Sequence, residues 1–201
     1  MGLINRHMPS LFSKIQDQVE RDGILPRSKS STNWFIRKIK SIRSVSSSRI
    51  LNDESLVVRN KPLIGRMFMF VYDPKGKETL PYYDKFPLIL MVGPAKGGFY
   101  GLNLHYLPPR QRAVFFDRLL DYTTNKKYNE STRFRLTYDM LNSTAKLKAF
   151  APCFKHYLYD HVASKTVEVL PPEWEIALFL PTDNFVKEKN TSIWQKTRTL
   201  I

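Results

Sequence analysis

The chain has 201 residues, 42% of them hydrophobic, with 32 lysines and arginines against 18 aspartates and glutamates and a formal charge of +14. That is too apolar for a wholly disordered chain and long enough for one packed core, alone or with an arm. The charge calls for a polyanion or for solvent, so nucleic acid, an anionic membrane and an acidic protein are the candidate partners.

The first sixty residues read as a basic arm with short helices. Ser10 can cap a helix with Leu11, Ile15 and Val19 on one stripe, and Gly23 stops it. Pro26 breaks the chain. Ser31 or Thr32 can cap a second helix in which Phe35, Ile39 and Ile42 share a face. Ser44 to Ser48 is a serine-rich linker. Between Arg21 and Ile50 stand Arg21, Arg27, Lys29, Arg37, Lys38, Lys40, Arg43 and Arg49, with Asp22 as the one acid. Half of the net charge lies in these thirty residues. Their few apolar side chains cannot be covered by so short a segment alone, so residues 21–50 are expected to be extended, or to form helices that leave the main domain and dock on a partner.

From residue 61 to 182 the texture is that of an α+β core domain. Ile64 to Tyr72 reads as a strand, Asp73-Pro74-Lys75-Gly76 as a turn, and Leu80 to Tyr83 as a short extended piece. Phe86 to Val92 is apolar on both faces and so reads as a central strand. Gly93-Pro94 and Gly97-Gly98 bracket a turn before a third strand, Phe99 to Tyr106. The pattern predicts a small antiparallel sheet or an open barrel with packed helices. Pro108-Pro109 opens a helix with Val114, Phe115, Leu119 and Tyr122 on its apolar face. Thr132 to Tyr138 fits strand or helix. A further helix is expected from Pro152 to His161, then strands at Lys165–Leu170 and Trp174–Leu180. Residues 183–201 form a polar tail with Trp194 as its large anchor. Phe70, Phe86, Leu88, Leu90, Leu102, Phe115 and Leu119 are the expected common core.

The single cysteine, Cys153, excludes an internal disulfide and suits a reducing cytosol, or a particle assembled in one. No run reaches about 18 apolar residues, so no membrane partner is expected, and Met1 to Ser10 lacks the apolar region of a secretory leader.

Chemistry is sparse. Asp84, Asp117, Glu173 and Glu175 are the carboxylates a two-metal nuclease would need clustered, but they stand at no spacing that suggests one. Cys153 and His156 would share a helix face, with His161 turned away, and no second pair completes a metal site. No phosphate-binding glycine loop and no nucleophile elbow is present. No catalytic residue, metal or cofactor is therefore assigned. The strongest physical signal is nucleic-acid binding. The candidate contacts are Arg27, Lys29, Arg37, Lys38, Lys40, Arg43 and Arg49 for phosphates or a protein partner, and Tyr82, Tyr83 and Tyr106 for stacking.

Three stretches belong together: Gly65 to Lys75 (GRMFMFVYDPK), Thr79 to Leu88 (TLPYYDKFPL) and Gly98 to Pro109 (GFYGLNLHYLPP). With the Trp174–Pro181 segment and the surroundings of Trp194, this block resembles a virion-protein family of T-even-like contractile-tailed phages, the DNA end protectors. The resemblance covers about two-thirds of the chain, and the basic arm matches in character alone. It implies a non-enzymatic virion component, assembled in the host cytoplasm. Such a component caps the packaged genome end against host exonucleases near the portal and neck, among other virion proteins. The alternative is a tail-tube or baseplate-hub subunit whose arm docks on acidic protein surfaces.

Overall fold

The computed structural model describes residues 10–26, 28–38, 45–123, 127, 129, 137–141, 143–144, 146–147 and 150–198. Its centre is an open, antiparallel six-stranded sheet: β1 (Val57–Arg59), β2 (Met67–Met69), β4 (Leu88–Ala95), β5 (Gly98–Asn103), β6 (Phe154–Leu158) and β7 (Thr166–Val169). The strand order is β1-β7-β2-β4-β5-β6, so β1 and β6 are the edges and no barrel closes. A two-stranded ribbon pairs β3 (Tyr83–Asp84) with β8 (Phe185–Val186). The fold is α+β.

β4 and β5 form a tight hairpin. Gly97 takes a φ of +69° at its turn, a left-handed conformation that suits glycine. Gly98 is fixed for another reason: a Cβ there would lie 1.8 Å from the Tyr157 carbonyl oxygen of β6. β4 runs through Gly93-Pro94 to Ala95, with a register shift between Met91 and Gly93.

The two sheet faces carry separate cores. Met67, Met69, Leu88, Leu90, Leu102, Val167 and Val169 meet the helices on one face, with Phe86, Phe115 and Leu119. On the other, Phe68, Phe70, Tyr72, Ile89, Phe99 and Tyr157 form an aromatic cluster. Phe70 meets Tyr157 edge-on at 5.4 Å, and Tyr72 does so at 4.9 Å. Phe70 is therefore buried as expected but apart from the other six expected core residues, because β2 alternates its side chains between faces.

The helices are α1 (Leu11–Arg21), α2 (Lys29–Lys38), α3 (Ser47–Leu51), α4 (Pro109–Thr123), α5 (Trp174–Phe179) and α6 (Asn190–Arg198). Ser10 caps α1, its hydroxyl accepting from the Ser13 N–H at 2.9 Å, and Gly23 ends it at φ +64°. Phe12, Ile15 and Val19 are its buried residues, with Leu11 partly covered.

Four expectations need correction. The described residues of the 21–50 segment do not leave the domain as expected: Trp34 and Phe35 are buried in the helix-side core, and Phe35 stacks on Phe179 of α5 at 5.2 Å. Phe35, which the segment cannot cover alone, finds its cover against α5. Trp174–Leu180 is helical rather than extended; Pro171-Pro172 open a 3₁₀ turn, and every residue of α5 is buried. A run buried all round shows no period to tell helix from strand. Pro152–His161 is not a helix. Phe154 to Leu158 is edge strand β6, followed by a 3₁₀ turn. On α4, Val114 is 57% exposed, while Arg112, Phe115, Phe116 and Leu119 point inward. Ile39, Ile42, the Tyr122 side chain and residues 132–136 lie outside the described residues; 137–141 is helical.

Candidate nucleic-acid interface

Beyond the aromatic cluster, on the same face of the sheet, lies a pocket of about 290 Å³. Tyr82, Tyr83 and Tyr106 line it together with Lys75 and with Lys155, which lies far from them in sequence. The elements explain the convergence. Tyr83 is held opposite Val186 by the β3–β8 ribbon. Tyr106 sits on the 3₁₀ turn after β5, where the Asn103 side chain accepts from the His105 N–H at 3.0 Å. Lys155 lies on β6 opposite Gly101.

The Lys155 ammonium stands 4.3 Å from the centre of the Tyr106 ring. Lys196 of α6 lies 5.1 Å from the Tyr82 ring, and the Tyr82 and Tyr106 rings are 6.2 Å apart. Tyr106 also takes the edge of Phe185 at 5.0 Å and is 3% exposed. Its ring forms the pocket wall and offers no free face for a base. Tyr82 and Tyr83 are partly exposed and form the reachable rings. Burial lowers the pKa of Lys155, with Cys153 opposing weakly. Burial, reinforced by Asp84, raises the Tyr106 phenol far above its ordinary range. At the rim, the Lys187 ammonium donates to the carbonyls of Lys77, Glu78 and Leu80, which fixes the approach from the 73–80 turn.

Beneath the pocket lies a buried polar array. Asp84 Oδ2 is 2.7 Å from His105 Nδ1, and His105 Nε2 is 3.1 Å from the Thr182 hydroxyl. Asp84 also accepts from Asn103 Nδ2 at 3.0 Å and from the Phe86 N–H at 3.1 Å. Burial alone would raise the Asp84 carboxyl; His105, Asn103 and the Phe86 amide outweigh it and lower its pKa. The line of carboxylate, imidazole and hydroxyl looks like a nucleophilic relay. However, Asp84, His105 and Thr182 are 4%, 0% and 3% exposed, and neither His105 nor Thr182 lines the pocket. Its work is structural. It ties the 182–184 segment and the ribbon to β5. Arg112 extends it, donating to the carbonyls of Leu107, Leu178 and His105, and Trp194 donates to the His105 carbonyl at 2.9 Å.

The described residues among the bases picked out in the sequence do not gather at this pocket. Lys29 and Arg37 are exposed on α2, which turns Ser31, Trp34 and Phe35 inward. Lys38 is partly covered, its ammonium 6.0 Å from the Trp34 ring. Arg49 lines a different, open groove that also holds Asp53, Glu54 and Glu173, so its charge is locally offset. Arg27, Lys40 and Arg43 lie outside the described residues. Lys75, Lys155 and Lys196 were not singled out. Their one visible signal is the alternation of Phe154-Lys155-His156-Tyr157, which places Lys155 and Tyr157 on one strand face.

The carboxylates weighed for a nuclease are scattered. Asp84 is buried, Asp117 is exposed on α4, and Glu175 accepts from the Ser31 hydroxyl at 2.6 Å. Among the described residues no cluster of three His, Cys, Asp or Glu side chains is placed to hold a metal. Among them, too, no helix is long and apolar enough to cross a membrane. Burial pushes the Cys153 thiol up to about 12.

No curated protein and no solved structure matches the chain. A family profile does, across residues 3–198, a span that takes in the basic segment, the three aromatic stretches and the Trp194 helix. With nearly the whole chain inside that match, the protein belongs to the family described as Phage T4 terminal DNA protecting protein.

Proposed function

We propose that this chain binds the free end of duplex DNA in a phage particle, without reading base sequence and without catalysis, and so shields that end from exonucleases. The observation that carries the reading is the gathering of Tyr82, Tyr83, Lys75 and Lys155 at one pocket of a chain with a charge of +14. Cations neutralise phosphates, and the released counterions drive association with any sequence. Partly exposed rings stack on a base whose outer face is free, which on a duplex occurs at an end. The family description supplies the protecting role. Residence at the portal and neck, where a packaged end would meet other virion proteins, is part of the proposal and rests on the family alone.

The test is equilibrium binding of the full chain to linear and closed circular duplexes of one sequence, over a range of salt. The proposal expects tighter binding to the linear form and a steep loss with salt for both. Equal binding to line and circle would remove end recognition and favour a structural subunit with a general affinity for polyanions.

A further inference from the structure

We infer that the tyrosine-walled pocket is a subsite for a terminal phosphate monoester of DNA, with Lys155 as its cation. The inference rests on the reading that the chain binds DNA ends and says what feature of the end is recognised.

Lys155 is a partly buried ammonium that lies outside every ion pair among the described residues. Its close neighbour is the face of Tyr106 at 4.3 Å, which stabilises a cation but does not neutralise it. Burial already weighs against its charged form. An anion entering the pocket therefore gains a partially desolvated partner, for which a charge-assisted hydrogen bond is worth more than at an open surface. Lys75 lines the same space and adds to its positive character. The one carboxylate lining it, Asp84, is engaged by the Asn103 and His105 side chains and by the N–H groups of Phe86 and Asn184. It is not free to capture Lys155.

Size narrows the ligand. At about 290 Å³ the pocket is at the lower end of small-ligand sites, which run from roughly 300 Å³ upward. It cannot admit a duplex but suits a single terminal phosphate with part of its nucleotide. A monoester also differs electrically from the internal diesters. Its second ionisation lies near pH 6, so it carries about −1.5 to −2 charges at neutral pH. A pocket holding a partly buried cation is selective for that group, while exposed lysines elsewhere are not. Tyr82 and Tyr83, at the partly exposed side, stand where the terminal base would follow.

The test uses the full chain and one blunt duplex sequence in four forms: 5′-phosphorylated, 3′-phosphorylated, unphosphorylated, and closed circular. The wild type is expected to bind one phosphorylated end more tightly than the unphosphorylated end, on the order of tenfold, the scale of one hydrogen bond to a charged group. Lys155→Met keeps the apolar stem and removes the ammonium, so it should bring the phosphorylated probes down to the affinity of the bare end. Lys155→Arg should keep the preference. Should Lys155→Met fail to fold, the wild-type comparison decides alone. Equal wild-type affinity for phosphorylated and bare ends, with linear still preferred to circular, overturns the subsite and leaves end binding standing. Equal affinity for linear and circular DNA overturns both.

Discussion

The Lys155 ammonium faces the Tyr106 ring at 4.3 Å, and Thr197 of the last helix donates to the Tyr106 carbonyl at 3.0 Å. One residue thus joins the sheet edge, the pocket wall and the C-terminal helix. Asn103, Lys155, Tyr157 and Leu158 reach the pocket from strands β5 and β6, while Lys75, Leu80 and Tyr82 reach it from the irregular 73–82 segment.

Of the two reachable rings, Tyr82 is the one beside Tyr106, at 6.2 Å between ring centres. Tyr82→Ala should weaken binding to a DNA end by about 1–3 kcal/mol, the range for one lost base–aromatic stack, and Tyr82→Phe should retain most of it. Titration of a labelled duplex by fluorescence anisotropy measures both. Equal losses for Ala and Phe would place the contribution in the hydroxyl, not the ring.

On the proposed reading, the exposed bases Lys29 and Arg37 of α2 would contribute through charge alone. Replacing Lys29 and Arg37 by alanine should flatten the dependence of log affinity on log salt by up to about 1.8, at roughly 0.9 per phosphate contact on duplex DNA. An unchanged slope would mean that α2 faces away from DNA.

Packing gives a paired stability test on one side of the sheet. Phe86 is 1% exposed, so Phe86→Ala should cost roughly 3–5 kcal/mol, a large part of the roughly 5–15 kcal/mol typical of a domain. Val114 is 57% exposed, and Val114→Ala should stay within about 0.5 kcal/mol. Urea denaturation reads both, and similar costs would contradict the orientation of α4.

Much of this was legible in the sequence, and the failures have physical causes. The hairpin strands were found because Phe86 to Val92 and Phe99 to Tyr106 are apolar runs bounded by glycine and proline. Tyr82, Tyr83 and Tyr106 were picked out as stacking candidates, but their company was not. Lys155 comes 49 residues after Tyr106, and only the pairing of β5 with β6 brings them together. Reading Pro152–His161 as a helix hid that pairing. The packing of the basic segment was missed because charge shows in sequence while cover does not. Its Trp34 and Phe35 needed α5, itself mistaken for a strand because it is apolar on every side. Asp22, the segment's one acid, is taken up by the Trp34 indole at 2.7 Å.

Cys153 gives a pH signature. Its folded thiol ionises near 12, above its ordinary 9.0, because burial opposes the thiolate. Between those values the unfolded chain has lost a proton that the folded chain keeps. Stability therefore falls as pH rises through that window, by at most about 1.4 kcal/mol per unit from this group. The buried tyrosines add their own alkaline losses, common to wild type and to Cys153→Ala. The stability difference between these two proteins should accordingly shift against the wild type from pH 8 to pH 10.5. A difference independent of pH would show that the thiol is not buried.

The central claim is protection of a free DNA end, and the most direct measurement is digestion of an end-labelled linear duplex by an exonuclease that starts from that end. The account predicts that stoichiometric protein at moderate salt delays loss of the label. It predicts no comparable slowing of an endonuclease acting on a circle of the same sequence. Unchanged exonuclease digestion with the DNA fully bound would contradict it.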